Sequence, residues 1–173
     1  MESNQKAYYK SPLGIVEIIG DNKAIQSIKI LEENHLSNQE KIWVKAAFEN
    51  PNNTPVLLRK CITQLQEYFD GTRTSFDLYL NPIGTSFQKK VWRELLNIPF
   101  GKTRTYLEQS KLLGDPKAIR AVASANGKNP LWIVVPCHRI IGSDGSLTGY
   151  AGGLWRKQWL LNHESPNKQQ SLF

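Results

Sequence analysis

Cysteine is scarce in these 173 residues: only Cys61 and Cys137 occur. Two thiols cannot build a disulfide framework, and they fit a reducing compartment. No pair of Cys and His has zinc-site spacing, and the three histidines, His35, His138 and His163, are too scattered to suggest a metal. No metal and no cofactor is expected. Long apolar runs are missing as well; none reaches the length of about 18 residues that a membrane-spanning helix needs. The opening Met1-Glu2-Ser3-Asn4-Gln5-Lys6 lacks the basic-then-apolar pattern of a secretion signal, so the expected place is the cytoplasm.

Acidic residues are sparse in the second half. Residues 1–84 carry nine Lys/Arg and ten Asp/Glu, a net of −1, whereas residues 85–173 carry thirteen against five, a net of +8. A basic half beside a neutral half points to a polyanion-binding unit joined to something else. A charge that serves only solubility is the plainer alternative. The length suits one large domain or two small ones. With 40% hydrophobic residues and five Trp, six Tyr and six Phe, the chain can bury a core.

The first third reads as β-rich. Gly14–Ile19, a Gly20-Asp21-Asn22 turn and Ala24–Ile30 make two β-branched runs of a hairpin, and Tyr8-Tyr9 offers a third strand. Residues 33–55 are polar and broken by Pro51 and Pro55, which predicts loop with a short helix around Trp43. Leu57, Leu58, Cys61, Ile62, Leu65 and Phe69 recur at helical spacing up to Gly71. Cys61 on that stripe reads as a small buried hydrophobe. Asn81-Pro82-Ile83-Gly84 then reads as a linker, giving a unit over residues 1–84 and another over 85–173, with a mobile tail after about 165.

The second half opens with a capping box, Thr85 with Gln88, ahead of Phe87, Val91, Trp92 and Leu95 on one helix face. Thr105 with Glu108 forms another. Asp115, with Pro116 after it, is expected to cap a third helix over 117–125 that Gly127 stops. Two short helices joined by a Gly-Asp turn resemble a helix-turn-helix. The second holds Ala118, Ala121, Ala123, Ser124 and Ala125, small residues that suit either close approach to a ligand or close packing on a neighbouring helix.

Leu131–Val135 is short, β-branched and bounded by prolines, which predicts a buried strand or extended segment delivering Cys137 to the end of a rigid element. Beside His138 and Arg139 the thiol has reason to ionise, and the thiolate is the nucleophilic form. Neighbouring side chains of an extended chain point to opposite sides, so His138 reaches Cys137 only across a turn or through a water. From these residues alone, a buried structural thiol and a nucleophile stand side by side. Downstream, Ser143-Asp144-Gly145 suggests a small hairpin or wing. The glycine-rich Gly149-Tyr150-Ala151-Gly152-Gly153 loop follows, and then a last helix with Leu154, Trp155, Lys157, Trp159, Leu160 and Glu164.

Three of these segments, in this order, resemble the O6-alkylguanine-DNA alkyltransferases: Phe87-Gln88-Lys89-Lys90-Val91-Trp92, Pro136-Cys137-His138-Arg139 and the loop 149–153. The likeness is close over about 80–164 and general before that. It implies an α+β protein. A small N-terminal α/β domain would hold a ribonuclease-H-like three-stranded antiparallel sheet, and a mostly helical C-terminal domain would hold a winged helix-turn-helix. It implies direct reversal of DNA damage: O6-alkylguanine is flipped out of duplex DNA and its alkyl group moves irreversibly to Cys137, once per molecule.

By the same resemblance Cys137 would be the alkyl acceptor, His138 a base acting through a bound water, and Glu164 the group orienting His138. Tyr106 would donate a proton or hydrogen bond to the departing guanine. Arg120 would enter the base stack in place of the flipped nucleotide, and the helix bearing Ala121 and Ala123 would lie in the minor groove. Tyr150, Ala151 and Gly152 would wall the lesion pocket, with Lys157 nearby. Asn129 would brace the turn before the active-site segment, and Arg139 would hold the two domains together. The implied partner is double-stranded DNA bound by a monomer, with no membrane, in the nucleus if the source is eukaryotic. Ala151 departs from relatives that carry Ser there, leaving only a backbone amide for the lesion oxygen. The lack of a cysteine cluster argues against an extra N-terminal zinc domain. Two other classes remain: a sequence-specific DNA-binding regulator without chemistry, and a cysteine hydrolase using Cys137, His138 and Glu164.

Overall fold

In the computed structural model of the chain, which describes residues 3–166, the β-rich opening forms one antiparallel sheet. Its strands are β1 (Gln5–Ser11), β2 (Gly14–Gly20) and β3 (Ile25–Leu31), in the order β1-β2-β3. β2 is central, and Ile15, Val16 and Ile18 along it are buried. Glu17 is buried among them and is paid for by partners: it accepts a hydrogen bond from the Tyr8 hydroxyl at 3.0 Å and lies 3.7 Å from the Lys29 ammonium. Residues 79–81 add to the free edge of β3, with Ile25 N–H on the Tyr79 carbonyl and Asn81 N–H on that of Ile25, both at 2.8 Å. Asn81, read above as linker, is therefore taken up by the sheet.

Helix α1 (Asn38–Glu49) is longer than the short helix expected around Trp43. Its start is a capping box overlooked in the sequence: Ser37 Oγ accepts from the Glu40 amide at 3.1 Å, and the Glu40 carboxylate accepts from the Ser37 amide at 2.7 Å. Helix α2 (Val56–Phe69) buries Leu58, Cys61, Leu65 and Tyr68, so Cys61 is a core residue.

The chain divides into two compact units between Ile83 and Gly84. In the second, α3 (Ser86–Leu95) begins at the expected Thr85–Gln88 box. It buries Val91, Trp92 and Leu95 and leaves Phe87 exposed. Trp92 Nε1 donates to the Ala125 carbonyl at 2.8 Å, tying α3 to α5 (Ile119–Gly127). Between them lie β4 (Arg104–Thr105) and α4 (Tyr106–Leu112), the latter capped by Thr105 and Glu108 as expected. A buried reciprocal amide pair joins α4 to α5: Gln109 Nε2 donates to Asn126 Oδ1 at 3.0 Å, and Asn126 Nδ2 donates back to Gln109 Oε1 at 2.8 Å.

Three local expectations are corrected. Asp115 does not cap α5, which starts at Ile119 after Ala118; its carboxylate instead takes the Lys117 amide at 2.9 Å and closes a turn. Gly127 is the last residue of α5 and not a left-handed stop beyond it. Residues 131–135 are not extended. Val135 N–H bonds the Leu131 carbonyl at 2.9 Å, and Ile133 sits at a φ of 73°, the sole non-glycine residue with positive φ among those described. Asn129 is the reason. Its Nδ2 donates to the Val135 carbonyl at 2.8 Å and its Oδ1 accepts from the Leu131 amide at 2.9 Å, so one side chain supplies what a strand partner would.

A single 3-10 turn, Cys137–Arg139, follows, and then β5 (Ile140–Ile141), which pairs in parallel with β4. The Ser143–Gly145 turn is present, with Gly142 N–H on the Ser146 carbonyl at 2.9 Å. Helix α6 (Leu154–Glu164) closes the unit. Of the tail expected after 165, residues 167–173 lie outside the described residues.

Candidate active site

A cavity of about 410 Å³ opens in the second unit, and Cys137 is part of its lining. Tyr106 on α4, Arg120 and Ala123 on α5, and Thr148 to Ala151 of the glycine-rich loop form its other walls, along with Ile119, Asn126 and Gly127. The 3-10 turn places consecutive residues differently. Cys137 faces the cavity, while His138 and Arg139 turn into the core toward Glu164 at the end of α6. His138 Nε2 lies 2.7 Å from Glu164 Oε1. Arg139 Nε donates to Glu164 Oε2 at 2.8 Å, and its Nη1 donates to the Ile98 carbonyl at 2.6 Å. These bonds of Arg139 run within the second unit.

That arrangement changes the electrostatics expected of Cys137. Burial raises the thiol pKa, and a hydrogen bond from Asn129 and the charge of Lys157 offset it only in part. The expected lowering by His138 and Arg139 fails because both are directed at the Glu164 carboxylate. The resting residue is a thiol, and a base is required to make the nucleophile.

His138 supplies a candidate. Burial lowers its pKa against the opposing pull of Glu164, so the ring stays neutral near pH 7. Burial would raise the Glu164 pKa, but His138 and Arg139 together hold it well below the usual carboxylate range. With Nε2–H given to this carboxylate, Nδ1 keeps its lone pair; it is buried and has no hydrogen-bond partner among the described residues.

The loop over the cavity is fastened from two sides. The Thr148 carbonyl accepts from the Tyr106 hydroxyl at 2.8 Å and from Lys157 Nζ at 3.0 Å. Lys157 is fully buried, and burial pulls its pKa down to about 8. The Tyr150 hydroxyl is also buried without a partner among the described residues, and burial above all pushes its pKa well up.

Two structures solved from Mycobacterium tuberculosis share this architecture. The O6-methylguanine methyltransferase superposes with a TM-score of 0.78 at 36% identity, covering 99% of this chain and 100% of that one. An OGT in complex with DNA gives 0.77 at 38% identity, covering 95% and 96%. The methylated-DNA–protein-cysteine methyltransferase of Methanosarcina barkeri is 44% identical over 158 residues, 91% of this chain and 95% of that protein. The family model for the 6-O-methylguanine DNA methyltransferase ribonuclease-like domain matches residues 4–82, and that for the DNA binding domain matches 86–166. The chain belongs to the methylated-DNA–protein-cysteine methyltransferase family.

Within this methyltransferase scaffold the residues singled out in the sequence fall into three groups. Cys137, Tyr106, Arg120, Ala123, Tyr150 and Ala151 line the cavity. His138, Glu164, Lys157, Asn129 and Arg139 are buried around it, and Gly152 is buried against the Tyr150 and Trp132 rings. Ala121 is exposed on α5 and does not line the cavity. Sequence reading missed Asn126 and Thr148. Asn126, a polar residue on a helix read for its small ones, was the available signal; Thr148 contributes its backbone carbonyl, which side-chain identity does not announce.

Proposed function

We propose that this chain repairs O6-alkylguanine in duplex DNA by moving the alkyl group to Cys137. The observation that carries the reading is the division of labour within one 3-10 turn: the thiol lines an open cavity, while the neighbouring histidine is locked to a buried carboxylate.

In this reading His138 Nδ1 takes the thiol proton through a bound water, and Glu164 stabilises the imidazolium that forms. Cys137 Sγ then attacks the alkyl carbon in line. A sulfur–carbon bond forms as the carbon–O6 bond breaks, and guanine departs with the bonding pair. The proton lost by the thiol is balanced by the one guanine gains, with Tyr106 as the donor at the leaving base. Tyr106 gives its hydroxyl to the Thr148 carbonyl in the free protein and would exchange that partner for the base. The product is a thioether, which nothing in the site can cleave, so each molecule acts once.

A base inside the duplex cannot reach Cys137, so the nucleotide must be extruded. Arg120 is exposed at the cavity and suited to take the vacated place in the stack. α4 and α5 would act as a helix-turn-helix with α5 in the minor groove, the small side chains of Ala121 and Ala123 allowing close approach. The net +8 of residues 85–173 suits a phosphate backbone. The working form would be a monomer.

Intact-protein mass spectrometry after incubation with a duplex bearing O6-methylguanine tests the proposal. One methyl gained per chain, mapped to the Cys137 peptide, is the expected result. An unchanged protein mass with the lesion still in the DNA would overturn it.

A further inference from the structure

The cavity wall over residues 148–152 has no regular secondary structure, yet side chains of two consecutive residues of α6 hold three of its carbonyls. Lys157 Nζ donates to Thr148 and Gly149, at 3.0 and 3.3 Å. Arg156 Nη1 donates to Gly152 at 2.9 Å. Arg156 is only 4% exposed, an unusual state for an arginine, and its guanidinium lies 4.5 Å over the exposed Trp155 ring.

The carbonyl that Arg156 holds belongs to a residue with no slack. A Cβ on Gly152 would stand 2.9 Å from Tyr150 Cε1 and 3.0 Å from Trp132 Cζ3, and the Tyr150 and Trp132 rings pack with centroids 5.8 Å apart. The Gly153 amide closes back on the Tyr150 carbonyl at 2.9 Å. Fixing Gly152 therefore fixes the Tyr150 ring and Ala151, both of which line the cavity beside Cys137. Arg156 itself is not in that lining. Charge-assisted hydrogen bonds out of reach of water resist displacement more than neutral ones.

We propose that Arg156 is a specificity-determining residue, holding the Gly152 carbonyl so that the cavity wall at Tyr150 and Ala151 does not retreat, and thereby favouring small alkyl groups on guanine over bulky benzylic ones. The inference rests on the alkyl-transfer reading. An aromatic ring on the same oxygen takes up more of the cavity than a methyl group, so its transfer depends more on where the wall at Tyr150 and Ala151 stands. Lys157 secures the other end of the loop, next to Tyr106, so the two cations act on different parts of it.

Single-turnover transfer of methyl and of benzyl from O6 of guanine, in the same duplex position, gives the test. The wild-type protein should favour methyl. Arg156→Met should raise the benzyl-to-methyl rate ratio about tenfold while the methyl rate stays within about threefold, because the variant loosens the wall without touching the reacting atoms. Arg156→Lys, which keeps a charged donor, should recover most of the preference. If Arg156→Met does not fold, Trp155→Ala removes the exposed ring under the guanidinium and should shift the ratio the same way by less. An unchanged ratio in the variants that fold, equal loss of both rates in Arg156→Met, or a wild-type protein indifferent to alkyl size would overturn the proposal. Transfer of neither group by the wild-type protein would instead refute the alkyl-transfer reading itself.

Discussion

His138 and Glu164 are joined at 2.7 Å, Nε2 to Oε1, where both side chains are almost completely buried. The same carboxylate receives Arg139. Glu164→Gln therefore does two things at once. It removes the charge that would steady an imidazolium, and it leaves a buried guanidinium without a counter-ion. Single-turnover transfer should slow by about a hundredfold or more. Urea unfolding should show a loss of about 3 kcal/mol. A variant as fast as the wild type would separate Glu164 from the chemistry.

The pH dependence follows from the same pair. His138 acts neutral, and its pKa lies below the ordinary value, so transfer should hold its plateau from pH 8 down to about 6.5 and fall only below that. Stability has the same sign: the unfolded chain takes up the histidine proton first, so the fold weakens as pH drops below about 6.5. Glu164, with its pKa depressed, contributes stability above the usual carboxylate range that is lost only in strong acid. A transfer midpoint at or above pH 7 would contradict this account of His138.

Arg120 should matter only where a base must be extruded. Arg120→Ala is expected to slow transfer from O6-methylguanine in duplex DNA about tenfold to a hundredfold, and to leave transfer from the free base O6-methylguanine nearly unchanged. Equal slowing on both substrates would mean that Arg120 serves the pocket and not the stack.

The Gln109–Asn126 pair offers a thermodynamic cycle. Gln109→Leu strands a buried amide and should cost about 1–3 kcal/mol, whereas Gln109→Leu with Asn126→Leu should recover part of the loss. Equilibrium unfolding measures both. Because Asn126 also lines the cavity, recovered stability without recovered transfer would show that the pair shapes the site as well as the core.

Gly84→Ala tests the packing of α3. Its new Cβ would stand 2.4 Å from Trp92 Cη2, so the indole must shift and its bond to the Ala125 carbonyl must lengthen. A loss of about 1–3 kcal/mol is expected from denaturant titration.

Legibility in the sequence followed the range of the forces involved. The three strands, α2, and the caps at Thr85 and Thr105 were readable because periodicity and capping are local. Ser37 and Glu40 carried the same signal and were passed over inside a polar stretch. Residues 131–135 misled because their β-branched content suits a strand, while Asn129, two residues before them, takes the backbone bonds a strand would have needed. The state of the thiol misled for a related reason. Adjacency in sequence placed His138 and Arg139 beside Cys137, but Glu164, 26 residues on from His138, is what they face. Cys137 and the loop 149–153 stood out by composition, but their roles and those of Tyr106 and Arg120 came through family likeness, and no local spacing rule brings them to one cavity.

Cys61 gives the molecule an unusual convenience. It is fully buried in α2, and burial pushes its thiol pKa up to about 12, so in the native protein it should be silent toward electrophiles. Cys137 is a thiol at rest too, but it lines an open cavity, so a mild thiol-directed dye should count one reactive sulfur in the folded chain and two after denaturation. Loss of that first signal would read out, molecule by molecule, how much of a preparation has already been used.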